Sequence, residues 1–139
     1  MQLTLVKNAE DLVGSYYAAF YPGERDSPLR PGETVYMDGD AFEALCFIAG
    51  NFRVTSTTTL TGFAIDRLVE ELEEASRRIS HSDSPKQVWP LTASYGYTQF
   101  LSIDDWQVGR QQFCTMLQDL GSWLRAARER DEPVTIRGV

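Results

Sequence analysis

The chain has 139 residues, and its 20 acidic side chains outnumber its 13 lysines and arginines, which gives a formal net charge of -7. This length favours a single domain, spanning residues 1–139, that can bury its own core. The negative charge argues against binding to nucleic acid or to an anionic membrane, because both are polyanions. The chain shows neither a secretory signal pattern nor the roughly 18 consecutive apolar residues of a membrane span, so we expect a cytoplasmic protein.

The first third of the chain predicts two short strands and one helix. Apolar residues at 3–6 indicate a strand. Apolar residues at helical spacing over 12–20, preceded by Asn8 as a cap, indicate a helix. Prolines and glycines over 22–32 mark a surface loop, and residues 34–37 indicate a second strand.

The middle of the chain predicts two helices separated by a polar segment. The first covers about 41–52, and Asp40, the last residue of a turn at 38–40, is its expected cap. Residues 55–59 could form a strand or a polar loop, and we favour the loop. Thr61 is the expected cap of the next helix, whose apolar stripe consists of Ile65, Leu68, Val69, Leu72, Ala75 and Ile79.

The last third predicts a long helix and a terminal strand. Ser102 is the expected cap of this helix, whose buried stripe consists of Trp106, Gly109, Phe113, Met116, Leu117, Leu120, Leu124 and Ala127. Residues 134–136 indicate a strand that pairs with the N-terminal strand, because neither can satisfy its backbone alone. The predicted fold is therefore α+β and mostly helical, a single domain with about four main helices and a small sheet that includes the N- and C-terminal strands.

The residues that catalysis or metal binding would need are scarce. Zinc sites take three or four Cys, His or carboxylate ligands in close array, and this chain has one histidine and two cysteines. His81 follows a helix in a polar segment, where a solvated histidine interacts favourably with the helix dipole. Cys46 and Cys114 fall in helical patterns, which favours two reduced core thiols, although one disulfide remains open. We therefore expect no enzyme, no metal and no cofactor.

Acidic side chains are concentrated in two places, the start of one predicted helix and one face of the next. A solvated helix face is the ordinary explanation of such a charge run. We expect these acids to be exposed, and the same acids would then form a docking surface for a basic partner. The acidic residues of this predicted surface are Asp38, Asp40, Glu43, Glu70, Glu71, Glu73 and Glu74.

Aromatic residues cluster before the last helix, in a connection with weak strand character. If this segment is extended, Tyr95 and Tyr97 share one side of it. Tyrosines in connecting segments either pack in the core or form interface hot spots. Both interpretations remain open for this pair, and we include it in the candidate partner-binding surface.

Three segments are similar in layout to small acidic bacterial immunity proteins, which are encoded beside polymorphic or contact-dependent growth inhibition toxins. They are YAAFYPG at 17–23, VYMDGDAF at 35–42, and WL at 123–124 with the closing VTIRGV at 134–139. The resemblance lies in size, charge and the order of helices, and it spans most of the chain. It implies a cytoplasmic protein that binds one cognate toxin stoichiometrically and blocks it. A toxin with a basic surface would attract such an acidic inhibitor.

Other functions remain open. A small-ligand-binding domain or an enzyme of unknown reaction would need a pocket with buried carboxylates or a perturbed His81. An adaptor protein would self-associate through an apolar face. A mimic of DNA fits less well, because the basic residues offset much of the acidic charge.

Overall fold

A computed structural model describes residues 2–48, 57–89 and 104–138. Over these ranges the protein has an α+β fold with four strands and three α-helices, one helix fewer than predicted. Two single-turn 3-10 helices lie at Ala9–Asp11 and Pro85–Gln87. The strands and α-helices in chain order are β1 (Tyr17–Pro22), β2 (Val35–Asp38), α1 (Gly39–Ile48), β3 (Thr57–Leu60), α2 (Phe63–Ser80), α3 (Trp106–Glu129) and β4 (Val134–Arg137).

The four strands form one antiparallel sheet in the order β2-β1-β4-β3. β1 and β4 are neighbours at its centre, so the sheet includes N- and C-terminal strands as predicted, but the predicted pairing of residues 3–6 with the last strand is wrong, because β1 takes that place. In the register, Ala18 pairs with Met37, and Phe20 pairs with Ile136. The predicted strand at 3–6 contributes only a bridge from Val6 to the outer side of β2.

The predicted helix over 12–20 is wrong, because its second half is β1. All residues of β1 except Tyr17 are buried. A strand covered on both faces is a continuous apolar run without alternation. Such a run also contains residues spaced three and four apart, so periodicity alone cannot distinguish it from a helix.

The preferred loop over 55–59 is also wrong where the structure describes it, since residues 57–60 form β3. Threonines are β-branched and fit a pleated, half-buried surface. The hydroxyl groups of Thr59 and Thr135 lie 2.9 Å apart across β3 and β4. The strand therefore gains side-chain as well as backbone hydrogen bonds.

The two apolar stripes predicted for the later helices are confirmed. Every residue of both stripes is buried, and α2 packs along α3. The caps differ from the prediction. Asp105 caps α3 by accepting a hydrogen bond from the amide of Val108 at 3.3 Å, while Ser102 lies outside the described residues. Thr61 precedes the N-cap residue Gly62 and contributes its carbonyl oxygen to the first turn of α2, at 3.0 Å from the amide of Ala64.

The two faces of the sheet have different surroundings. One face joins the helices in the main core through Ala18, Phe20, Val35, Met37, Val134 and Ile136. The other carries Tyr17, Ala19, Tyr21, Tyr36, Thr135 and Arg137. The loop over 23–34 covers part of this second face, because the hydroxyl of Tyr21 donates to the carbonyl of Arg25 at 3.1 Å and that of Thr135 to the carbonyl of Gly23 at 2.8 Å. On the rest of this face, Tyr17, Ala19, Tyr36 and Arg137 line a cavity.

Replacing either of two glycines by alanine is expected to change the free energy of unfolding, with opposite signs at the two positions. Gly121 lies within α3, and a methyl group added there meets no atom within 4 Å. Gly121→Ala is expected to raise the free energy of unfolding by about 0.5–1 kcal/mol, because alanine loses less backbone entropy in a helix. Gly39→Ala is the opposing control, since its methyl group would collide with the ring of Tyr16. Urea denaturation measures both, and a Gly121→Ala protein that is less stable than the wild type would contradict the prediction.

Candidate functional site

The strongest candidate for a functional surface lies at the start of α1, where acidic and aromatic residues meet. We call Tyr16, Asp38, Asp40, Glu43 and Phe47 the α1 surface. Asp38, not Asp40 as predicted, caps the helix, because its Oδ1 accepts from the amides of Asp40 at 2.9 Å and of Ala41 at 3.4 Å. Its Oδ2 accepts from the amide of Gln2 at 3.0 Å.

Tyr16 is held against the first turn of α1 by several contacts. Its ring lies over Gly39, whose amide donates to the carbonyl oxygen of Tyr16 at 2.9 Å. Its hydroxyl donates to Glu43 Oε1. Burial and then the hydrogen bond to Glu43 raise the pKa of Tyr16, so at neutral pH this hydroxyl is a hydrogen-bond donor and not a phenolate.

The same arrangement destabilises the charged form of the Asp40 carboxyl group. Burial is the largest cause that raises the pKa of its carboxyl group, followed by the charges of Asp38 and Glu43. None of the ion pairs within the described ranges involves Asp38, Asp40 or Glu43. The α1 surface therefore concentrates negative charge without a cationic side chain of its own in those ranges.

Apolar side chains are exposed beside these acids. Tyr16 is 44% exposed and Phe47 is 43% exposed, and Val13 nearby in the chain reaches 77%. Phe47 lies four residues after Glu43, so both project from one side of α1. Aromatic groups beside charges are typical of interface hot spots. Sequence analysis missed Tyr16 and Phe47; the spacing of Phe47 from Glu43 is a signal that could have found the latter.

The glutamates of α2 have a different environment from those of α1. Glu73 pairs with Arg125 of α3, and Glu74 pairs with Arg77 one turn along. A neighbouring acid of α2, Asp66, lies 3.1 Å from Arg128 of α3. Acids and arginines therefore alternate over this face. Their charges partly cancel, which weakens the long-range electrostatic attraction of a basic partner.

The predicted surface is thus divided between two regions. The expectation that all its acids are exposed is wrong: Glu70, Glu73 and Glu74 are exposed, but Asp38, Asp40, Glu43 and Glu71 are half-buried. Tyr95 and Tyr97 lie outside the described residues. Among the ion pairs of the described residues, none involves Asp38, Asp40 or Glu43, whereas Glu73 and Glu74 are each paired with an arginine.

His81 and Cys114 lie away from the α1 surface, Cys46 lies within α1, and all three have structural surroundings. His81 is exposed at the end of α2, with Nδ1 2.8 Å from the carbonyl oxygen of Arg77. Both cysteines are free thiols. Burial raises the pKa of Cys46 to about 12 and also raises that of Cys114. Neither sulfur is therefore a thiolate nucleophile at neutral pH.

In the described ranges, no cluster of three or more histidine, cysteine or acidic side chains could hold a metal ion. None of the helices in those ranges combines the length and the apolar character needed to cross a bilayer. Comparison of the chain with protein-family models, curated proteins and solved structures gives no significant match. The α1 surface is therefore interpreted from its own chemistry.

Proposed function

We propose that the protein is an immunity protein that binds a cognate bacterial toxin through the α1 surface and neutralises it stoichiometrically. The observation that carries this proposal is the gathering of Asp38, Asp40 and Glu43 around an exposed tyrosine, with no basic side chain paired to them in the described ranges. This combination suits a protein partner with a basic surface. No catalytic residue and no cofactor takes part.

Electrostatics supports a basic partner. Burial and neighbouring acids destabilise the charged form of Asp40 in the free protein. A lysine or arginine from the partner would offset this destabilisation. The same charge would accelerate association by long-range attraction. Tyr16 and Phe47 would supply the apolar contact at the centre of the interface. The toxin would be blocked by occlusion in the cytoplasm of the cell that makes both proteins.

The first test is co-expression with the product of the adjacent reading frame, followed by measurement of the complex. We expect a one-to-one complex whose Kd rises by at least about tenfold when the salt concentration is raised from about 0.05 to about 0.5 M. Affinity should also fall as the pH is lowered through the raised pKa of Asp40, because protonation removes a charge that the partner binds.

Two outcomes would contradict the proposal. A complex whose affinity is indifferent to salt and to pH would exclude the acids of the α1 surface as its basis. A chain that forms a constitutive homo-oligomer by light scattering and leaves the neighbouring product unbound would favour the adaptor hypothesis instead. The pKa of Asp40, followed by NMR in the free protein and in the complex, should decrease on binding a cationic partner.

A further inference from the structure

The open part of the second sheet face contains a slot. Tyr36 of β2, Ala19 of β1 and Arg137 of β4 lie in one row, since Ala19 is paired with both of the others. Ala19 carries only a methyl group, so the two long side chains form walls on either side of it. Tyr17 and Leu29 complete a cavity of about 270 Å³ at this row.

The slot differs in charge from the rest of the molecule. Among the described residues that line it, Arg137 is the only one with a charged side chain, in a chain of net charge -7. None of the ion pairs within the described ranges involves Arg137, whose guanidinium carbon lies 5.7 Å from the centre of the Tyr21 ring. The adjacent acid on this face, Asp38, accepts hydrogen bonds from three backbone amides. Among the described residues, therefore, Arg137 has no carboxylate partner that would compete with an anion in the slot.

The walls of the slot favour an aromatic body. The rings of Tyr17 and Tyr36 meet edge to face, with centroids 5.4 Å apart and planes at 86°. Neither ring is buried, and a further ring could pack against them in the same geometry. Leu29, which is 44% exposed, offers an apolar contact from the opposite side.

We propose that this slot binds a small aromatic carboxylate. Arg137 would form two parallel hydrogen bonds to the carboxylate, a geometry that guanidinium groups prefer. The ring would lie over Ala19 between Tyr36 and Leu29. Small-molecule pockets range from about 300 to 1,000 Å³. This cavity of about 270 Å³ lies just below that range, so it fits a small ligand of one ring or two fused rings with a short acidic chain. Tyr16 of the α1 surface also lines the slot, but Arg137, Ala19 and Tyr36, which would hold the ligand, are not part of that surface, so the proposal does not depend on toxin binding.

The test uses the isolated protein and three matched probes: indole-3-acetate, its neutral amide and acetate. Calorimetric or NMR titration should show that indole-3-acetate binds at least about tenfold more tightly than either of the others. The amide lacks the charge and acetate lacks the ring. Equal binding of the acid and its amide, or no binding of the acid at millimolar concentration, would overturn the proposal.

Single substitutions test whether the ligand binds in the slot. Arg137→Gln should weaken binding of indole-3-acetate about tenfold and remove the preference over the amide. Arg78→Gln is the matched control, because Arg78 is exposed on α2 and does not line the slot. Tyr36→Leu should weaken binding of the acid and of the amide by the same factor, because it removes one aromatic side chain from the slot. If Arg137→Gln binds as the wild type does while its circular dichroism is unchanged, the anion does not bind in this slot.

Discussion

Replacing Trp89 by alanine is expected to lower the free energy of unfolding by about 3–5 kcal/mol, a large part of the roughly 5–15 kcal/mol that stabilises a typical domain. The side chain is fully buried. Its indole N–H donates to the carbonyl oxygen of Ala44 in α1 at 2.9 Å. Its ring packs against Trp106 and Phe113 of α3, with centroids 6.0 and 5.8 Å away. Alanine would therefore leave a cavity between α1 and α3 and remove the hydrogen bond that joins Trp89 to α1.

Chemical denaturation followed by circular dichroism measures this loss. Phe63→Ala is the control, because Phe63 is also a large aromatic residue of the described chain but is 77% exposed. It should change the free energy of unfolding by less than about 0.5 kcal/mol. If the Trp89→Ala and Phe63→Ala proteins unfold at the same urea concentration, the aromatic cluster does not hold α1 and α3 together.

Reversing the charge of Glu43 is expected to weaken binding to the proposed toxin by about a hundredfold. A lysine at this position would place a positive charge where the partner presents its own, and like charges facing each other across an interface cost several kcal/mol. It would also remove the acceptor of the Tyr16 hydroxyl and release that ring from α1. The effect should be seen in the Kd of the complex and in the loss of protection of cells that express the toxin.

Glu70→Lys is the matched control for this reversal. It makes the same change of charge at an exposed position of α2, on the face where acids and arginines alternate. We expect its Kd to change by less than about threefold. A larger loss of affinity for Glu70→Lys than for Glu43→Lys would indicate that the docking surface lies on α2. The neutral double variant Asp40→Asn with Glu43→Gln tests the role of charge while keeping hydrogen-bonding side chains in place.

Sequence patterns predicted the long helices well because their apolar residues recur on one face over many turns. The stripe of α2 from Ile65 to Ile79 is buried throughout, while its other faces carry charges. A strand cannot reproduce such a pattern over that length. Both helices form an amphipathic pair that depends little on the rest of the chain, which is why local spacing was sufficient.

The short strands were harder to predict because their environment is set by distant residues. The identity of β1 depends on β4 and β2 on its two sides and on a loop that covers its second face. Nothing within residues 12–20 encodes those neighbours. The same holds for β3, whose threonines become a strand through their pairing with β4.

The sequence predicted which acidic residues belong to the candidate site, but not which residues each of them contacts. The density of glutamates on α2 is visible in the sequence, whereas Arg125, the partner of Glu73, lies one helix further along the chain. Conversely, Tyr16 contacts Glu43 across 27 positions. Ion pairing between elements therefore decided which acids keep an uncompensated charge.

The central position of β4 has a consequence for the order in which the protein folds during synthesis. Thr135 and Gly23, which are joined by a hydrogen bond, are 112 positions apart, and β4 is the strand that joins β3 to β1. The sheet cannot close until β4 has emerged from the ribosome. Non-local pairing of this kind slows folding. A nascent chain that stalls before β4 would hold β1 and β3 as open edges, which are the segments most prone to pair with other chains.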